Sequence, residues 1–164
     1  MISVHDLAQY LISSSREGLS TMKLHKLAYF IRAYSMALRG EPLFAENVLA
    51  GGYGPVIEEF FEHHQGIFMV THWPLGNRNY LSPEDKVIAD YTLKRYAHTT
   101  GKNMGEIAMS HLPWVNAYDP SGKTSPVMDL VLMRNYYRAL FDAPANPKAY
   151  AERFMDRYEN TDTI

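Results

Sequence analysis

Apolar residues recur every three to four positions along most of the chain, which is the spacing of helices with one buried face. This pattern predicts a first helix over residues 3–14, which begins with the capping-box-like sequence Ser3–Asp6. A second helix is predicted over residues 20–39, with a serine cap at its start and Gly40 at its end. Because this second helix is apolar on nearly its whole circumference, we expect it to lie at the centre of the fold.

The middle of the chain alternates short apolar runs with turn residues. Residues 47–53 are predicted to contain a strand, and the glycines of residues 51–54 then form a tight turn. Pro55 fits the first position of a third helix, since proline there loses no hydrogen bond and the acidic residues that follow complement the helix dipole. A second strand is predicted over residues 67–72, which turns and pairs with residues 79–81.

The second half of the chain returns to helical spacing. Its predicted elements are helices over residues 82–98, 104–112 and 125–141, a turn-rich loop over 119–124, and a last helix that begins at Asn146-Pro147. Together the elements predict a mainly α fold (α+β), a single compact helical domain of six to seven helices with a small β-sheet or hairpin. Residues 1–142 would form this domain, and residues 143–164 would supply a linker and a C-terminal helix packed on it.

The composition narrows the classes of function. The chain has 164 residues, a formal net charge of −2 and no cysteine, which excludes a disulfide framework and a thiolate metal site. The net charge and the buried position expected for the second helix argue against specific DNA binding. Because neither a secretory signal nor a membrane-spanning apolar segment is recognisable, we expect a cytoplasmic protein without a membrane partner.

Few residues are arranged as catalytic or ligand-binding motifs. The segment Gly51–Pro55 lacks the lysine and hydroxyl residue of a phosphate-binding loop and the spacing of a dinucleotide site. Adjacent helical residues point about 100° apart, so His63 and His64 are poorly placed to share a metal. Ser110 and His111 are sequence neighbours, which does not indicate a nucleophile and its base. We therefore predict no catalytic, cofactor-binding or metal-binding residues.

The aromatic and methionine content favours protein recognition. The chain holds 12 tyrosines, 7 phenylalanines and 9 methionines. Tyrosine, phenylalanine and methionine are enriched in protein–protein interfaces, although the same residues also fill cores.

Three segments, taken together, resemble one protein family. They are Lys23–Phe30 (KLHKLAYF), Ala50 with Tyr53–Val56 (YGPV), and Ser110–Trp114 (SHLPW). In this order and at this separation they are similar to the Panacea domain, also called the SocA-like or phage GepA-like family, over about residues 4–141. The chain departs from the family pattern at His25, where the family usually has glutamine.

The resemblance implies an antitoxin of a bacterial or phage toxin–antitoxin system. Such a protein neutralises a cognate protein toxin, encoded next to it, by direct protein–protein binding. Two alternatives stay open: a proteolytic adaptor that delivers the toxin to a ClpXP-type protease, and an enzyme that acts on the toxin or on a small molecule. Homo-oligomerisation also stays open. No cofactor is implied.

The family-motif residues are expected either to contact the toxin or to form the scaffold. They are Lys26, Tyr29, Tyr53, Gly54, Pro55, Ser110, His111, Pro113 and Trp114. For Gly54, Pro55 and Trp114 we favour the structural role, since tryptophan is usually largely buried.

Overall fold

The computed structural model, which describes residues 1–141, consists of helices and two small two-stranded sheets. The helices of these residues are α1 (Val4–Ser13), α2 (Thr21–Arg39), α3 (Phe61–His64), α4 (Pro83–Arg95), α5 (Gly101–Met109), α6 (Leu112–Ala117) and α7 (Leu130–Leu140). The strands are β1 (Leu19–Ser20), β2 (Val48–Gly51), β3 (Gly54–Ile57) and β4 (Met69–Val70). β1 pairs with β4 and β2 pairs with β3, both antiparallel. The predicted mainly α (α+β) fold with a small sheet component is confirmed.

The predicted second helix lies at the centre of the fold, as its apolar circumference indicates. Every residue of α2 from Leu24 to Leu38 is buried, and the helix packs against α1, α4, α5, α7 and strand β3. Ser20 caps its start by accepting a hydrogen bond from the backbone N–H of Lys23. Gly40 ends it in the left-handed conformation with φ of 80°, so both predicted ends are confirmed.

The predicted starts of two further helices are also confirmed. In α1 the Ser3 hydroxyl and the Asp6 carboxylate form a capping box, and the carboxylate also accepts a hydrogen bond of 2.6 Å from Asn77 N–H. In α4 the same arrangement joins Ser82 and Asp85. Each box satisfies backbone N–H groups that a helix start otherwise leaves without a partner.

The prediction of a helix beginning at Pro55 is wrong. Pro55 lies in β3 and pairs with Ala50 of β2, so the glycine-rich segment forms a β-hairpin turn and does not start a helix. Proline lacks a backbone N–H, and β3 tolerates this loss because its edge that faces away from β2 has no ladder partner among the described strands. The first helical residues after β3 are those of the 3-10 turn Glu58–Phe60, which leads directly into the single-turn helix α3.

The predicted pairing of residues 67–72 with residues 79–81 is also wrong. Strand β4 is present within the first segment, but it pairs with the two residues of β1. Residues Arg78–Tyr80 form a 3-10 turn that packs on α1, where Arg78 N–H donates a hydrogen bond of 2.8 Å to the Gln9 side chain. A strand as short as β1 has no periodicity, so the sequence pattern offers no sign of it.

Two helix boundaries near the end of the described chain differ from the prediction. The helix expected over residues 125–141 begins at Leu130, because the Asp129 carboxylate caps it by accepting from Leu132 N–H. The residues before it run beside β2, where the backbone N–H of Met128 donates 2.9 Å to the carbonyl of Val48. The helix expected over residues 104–112 is two helices, α5 and α6. The predicted C-terminal segment, residues 143–164, lies outside the described residues.

Space between the hairpin and α5 generates a first prediction. A Cβ atom at Gly105 would lie 2.5 Å from the backbone oxygen of Tyr53, whereas one at Gly52 would meet nothing within 4 Å. We expect Gly105→Ala to lower the free energy of unfolding by about 1–3 kcal/mol, because the clash outweighs the higher helix propensity of alanine. The matched control Gly52→Ala should change it by less than about 0.5 kcal/mol. Urea unfolding of both variants checks this, and equal stabilities would contradict the close contact.

Candidate functional site

The hairpin of β2 and β3 carries the glycine-rich motif. Gly51 pairs with Gly54, so only Gly52 and Tyr53 form the loop between the strands. Gly54 has a φ of 104°, which glycine adopts without strain, and a Cβ atom there would lie 3.0 Å from the Cα atom of Gly105. The hairpin therefore lies directly on α5. Tyr53 at its tip is 79% exposed.

Lys26 joins the hairpin to α2. Its side chain is 1% exposed, and its ammonium group donates a hydrogen bond of 2.9 Å to the backbone oxygen of Pro55. Burial lowers the pKa of Lys26 from 10.5 to about 8, because the apolar surroundings disfavour the charged form. Pro55 is itself buried, and its carbonyl group is the hydrogen-bond acceptor for Lys26.

The third motif segment supports the hairpin from the other side. The indole Nε1 of Trp114, in α6, donates a hydrogen bond of 3.0 Å to the backbone oxygen of Gly51, and its ring stacks on Tyr118 at 4.3 Å. Pro113 is buried in the first turn of α6. Ser110 is exposed and ends α5, where its hydroxyl donates to the Ile107 carbonyl at 2.6 Å. Trp114 thus helps to hold the hairpin, and Pro113 packs inside the fold.

His111 and Tyr29 lie in a row of buried polar groups away from the hairpin tip. The hydroxyl of Tyr137 is 2.9 Å from that of Tyr29 and 2.8 Å from Nδ1 of His111. Burial raises the pKa of both tyrosines, so both stay protonated at neutral pH, and it lowers the pKa of His111. The hydroxyl of Tyr137 thus bridges Tyr29 and His111. The row links α2, α7 and the residue that precedes α6.

A groove of about 370 Å³ opens beside the hairpin tip, between the start of α2 and helix α3. Its walls are mainly apolar, and the side chains that form them include those of Met22, Leu49, Tyr53, Val56 and Phe61. Lys26 lines the same groove.

A pair of histidines closes one end of the groove. The backbone N–H of Ile57 donates to Nδ1 of His25 at 2.9 Å, so the proton of the neutral His25 ring is on Nε2. That nitrogen donates to Nε2 of His64, 2.7 Å away. Burial, together with His64 and Lys26 nearby, lowers the pKa of His25 to about 3, and burial also lowers the pKa of His64. Both rings are therefore neutral at pH 7.

Metal binding finds no support among the described residues. The pair His25–His64 has no third ligand, and in residues 1–141 no group of three or more histidine and carboxylate side chains is placed to hold an ion. His63 lies apart from this pair, with its ring 5.1 Å from that of His5 and 5.9 Å from that of Trp73.

The chain matches no protein-family model, no curated protein and no solved structure. The resemblance to the Panacea domain therefore depends on the motif residues alone.

The structure brings five of the nine motif residues to the hairpin and leaves Tyr53 and Ser110 exposed. Lys26, Gly54, Pro55 and Trp114 hold the hairpin in place, whereas Tyr53 is exposed at its tip. The sequence reasoning missed Gly105 and the His25–His64 pair. The only signal for the pair is the departure from the family pattern at His25. Nothing in the sequence identifies His64 as the partner of His25. His64 lies in a helix of one turn, which is too short to show a periodic pattern.

The buried ammonium group of Lys26 generates a second prediction. Folded Lys26 releases its proton near pH 8, whereas the unfolded side chain does so near pH 10.5, so unfolding takes up a proton between these values. The contribution of Lys26 to stability should therefore rise with pH, by about 3 kcal/mol between pH 7 and pH 10.5. Urea unfolding of the wild type and of Lys26→Met at several pH values isolates this term, because the other titrating groups are common to both proteins. A difference between the two proteins that does not change with pH would contradict the burial of a charged amine.

Proposed function

We propose that this chain is an antitoxin that neutralises a cognate toxin, encoded by the neighbouring gene, through direct and stoichiometric binding in the cytoplasm. The proposal combines the motif resemblance with one structural observation. The hairpin is held to the domain by buried contacts, and exposed apolar side chains lie around its tip.

That surface surrounds the mouth of the groove, and we call it the hairpin face. Its members are Met22, Tyr53, Phe61 and Val127, which are 37%, 79%, 42% and 56% exposed. Val127 belongs to it because it forms a β-bridge with Leu49, a residue of the groove wall. A rigid, partly aromatic surface around a groove is typical of a site for a protein partner, since little entropy is lost when it binds.

The described basic residues of α2 favour a protein partner over DNA. A recognition helix must expose its side chains along the major groove. Lys26 and Arg32 are only 1% and 3% exposed, and Arg39 is engaged in an ion pair of 2.9 Å with Asp85. In addition, no helix of the described residues is both long and apolar enough to cross a lipid bilayer.

The neutral, hydrogen-bonded state of the groove histidines favours binding over catalysis. His25 is the histidine whose pKa is lowered to about 3, so it is a poor base near pH 7, where an effective general base has a pKa close to the ambient pH. Its hydrogen bonds to Ile57 and His64 occupy both ring nitrogens.

Co-expression with the neighbouring gene product separates the proposal from its alternatives. We expect a stable complex of fixed stoichiometry on pull-down and calorimetry, with an affinity near the nanomolar range. An adaptor predicts that rescue from the toxin disappears in a host that lacks the ClpXP-type protease. An enzyme predicts rescue at substoichiometric amounts without a complex. Either of these outcomes would contradict neutralisation by binding alone.

The exposed tip of the hairpin generates a third prediction. Tyr53→Ser should weaken toxin binding by about 10-fold or more, because an interface tyrosine at the centre of a contact often contributes over 1 kcal/mol. Its thermal stability should stay within about 0.5 kcal/mol of the wild type, since the side chain is solvated in the free protein. The matched control is Tyr80→Ser, because Tyr80 is also exposed, at 68%, but lies on the 3-10 turn beside α1. Equal binding of toxin by both variants would show that the hairpin face is not the contact surface.

A further inference from the structure

Lys26 is a cation without a counter-ion among the described residues. Its ammonium group has three N–H donors, and the carbonyl of Pro55 is its one hydrogen-bond acceptor in residues 1–141. Buried charges in proteins are normally paired with an opposite charge, because an unpaired one retains most of its desolvation cost. The ammonium group can therefore donate further hydrogen bonds besides the one to the hairpin.

The unpaired cation lines the groove of the hairpin face. No residue that lines the described groove is an aspartate or a glutamate. Its two histidines, His25 and His64, are hydrogen-bonded to each other and are neutral at pH 7, so they add no charge to the groove. Lys26 is thus the one charged side chain among the residues that line the described groove, and the walls around it are mainly apolar.

We infer that Lys26 is the anchor for a carboxylate, an aspartate or glutamate side chain of the bound partner protein, that enters this groove between apolar neighbours. The identity of the partner rests on the proposed function, whereas the preference for a carboxylate rests on the groove itself. A carboxylate is favoured over a backbone carbonyl because it neutralises the buried charge and forms the stronger, charge-assisted hydrogen bond. The volume of about 370 Å³ accommodates one acidic side chain together with an apolar neighbour.

The source of the carboxylate is assigned from the position of the groove. Met22, Tyr53 and Phe61 both line the groove and expose apolar surface around its mouth. A small free acid would leave that apolar rim in water, whereas a protein segment would cover it while its acidic side chain reaches Lys26. The positive charge of Lys26 and the apolar rim of the groove together favour a protein segment that carries an acidic side chain.

The first experiment tests the chemistry with the wild-type protein and needs no variant. 3-Phenylpropionate and its neutral amide, 3-phenylpropanamide, have nearly the same shape and differ in charge. We expect the carboxylate, titrated at pH 7 and followed by amide NMR shifts, to bind at least ~10-fold more tightly than the amide, as charge-assisted hydrogen bonds predict. The shifts should include the backbone amides of Gly52 and Ile57. Equal affinities, or shifts confined to other parts of the chain, would overturn the inference.

The second experiment tests the protein source with two lysine variants. Lys26→Met keeps the apolar stem and removes the charge, and Lys23→Met is its matched control. Lys23 lies one turn away on α2, but its ammonium donates to the carbonyls of Tyr96 and Ala97, outside the groove. We expect Lys26→Met to weaken toxin binding by about 10- to 100-fold and to remove the preference for the carboxylate probe, whereas Lys23→Met retains both. Melting curves show that each variant is folded.

The outcomes separate this inference from the proposed function. Absence of toxin binding by the wild type would end the antitoxin proposal, and the wild-type probe pair would still decide the chemistry of the groove. Normal toxin binding by folded Lys26→Met would overturn the carboxylate anchor and leave the antitoxin proposal intact. A double-mutant cycle completes the test, because one acidic residue of the toxin should lose its effect on affinity only when Lys26 is replaced.

Discussion

The hydrogen bond from the Lys26 ammonium group to the carbonyl of Pro55 determines where the hairpin lies. A charged group on a buried helix requires an acceptor, and strand β3 supplies it within the core. The same contact brings Gly54 against Gly105, where neither position leaves room for a Cβ atom without displacement of a neighbour. Trp114 then fixes the other strand through Gly51. These motif residues thus all hold the hairpin in its place: the glycines, the proline, the lysine and the tryptophan.

The contacts of the hairpin divide the motif residues into those that hold it in place and Tyr53, which it exposes. Residues that hold the hairpin are buried or half-buried, and their replacement is expected to affect folding first. Tyr53 is exposed on the loop that they support, so it can contact a partner without a change in the core. A loop carried on a rigid scaffold is a common arrangement for recognition, because the scaffold limits the entropy lost on binding.

The sequence predicts the helical framework well, because helix ends have local chemical signals. Ser3, Ser20 and Ser82 cap the helices that their positions predict, and the near-continuous apolar pattern of α2 predicts its central position. The errors occur where distant contacts decide the structure. Pro55 satisfies the local rules for a helix start, yet its pairing with β2 and its bond to Lys26 place it in a strand.

The candidate site was predictable only in part for the same reason. The motif segments contain several residues that hold the hairpin, but their separation along the chain exceeds the range of any periodic pattern. The groove depends on α3, which follows a 3-10 turn and carries no helical signature of its own. The histidine pair depends on a contact between residues 39 positions apart, and no rule of local sequence places His64 beside His25.

The most direct test of the account is hydrogen–deuterium exchange of the protein, alone and with the product of the neighbouring gene, which we propose is its toxin. The account predicts that binding slows exchange in the hairpin, residues 48–57, at the start of α2 and in α3, while amides on the outer side of α4 keep their rates. Slower exchange confined to α4 or α7, with the hairpin unchanged, would contradict a partner site on the hairpin face.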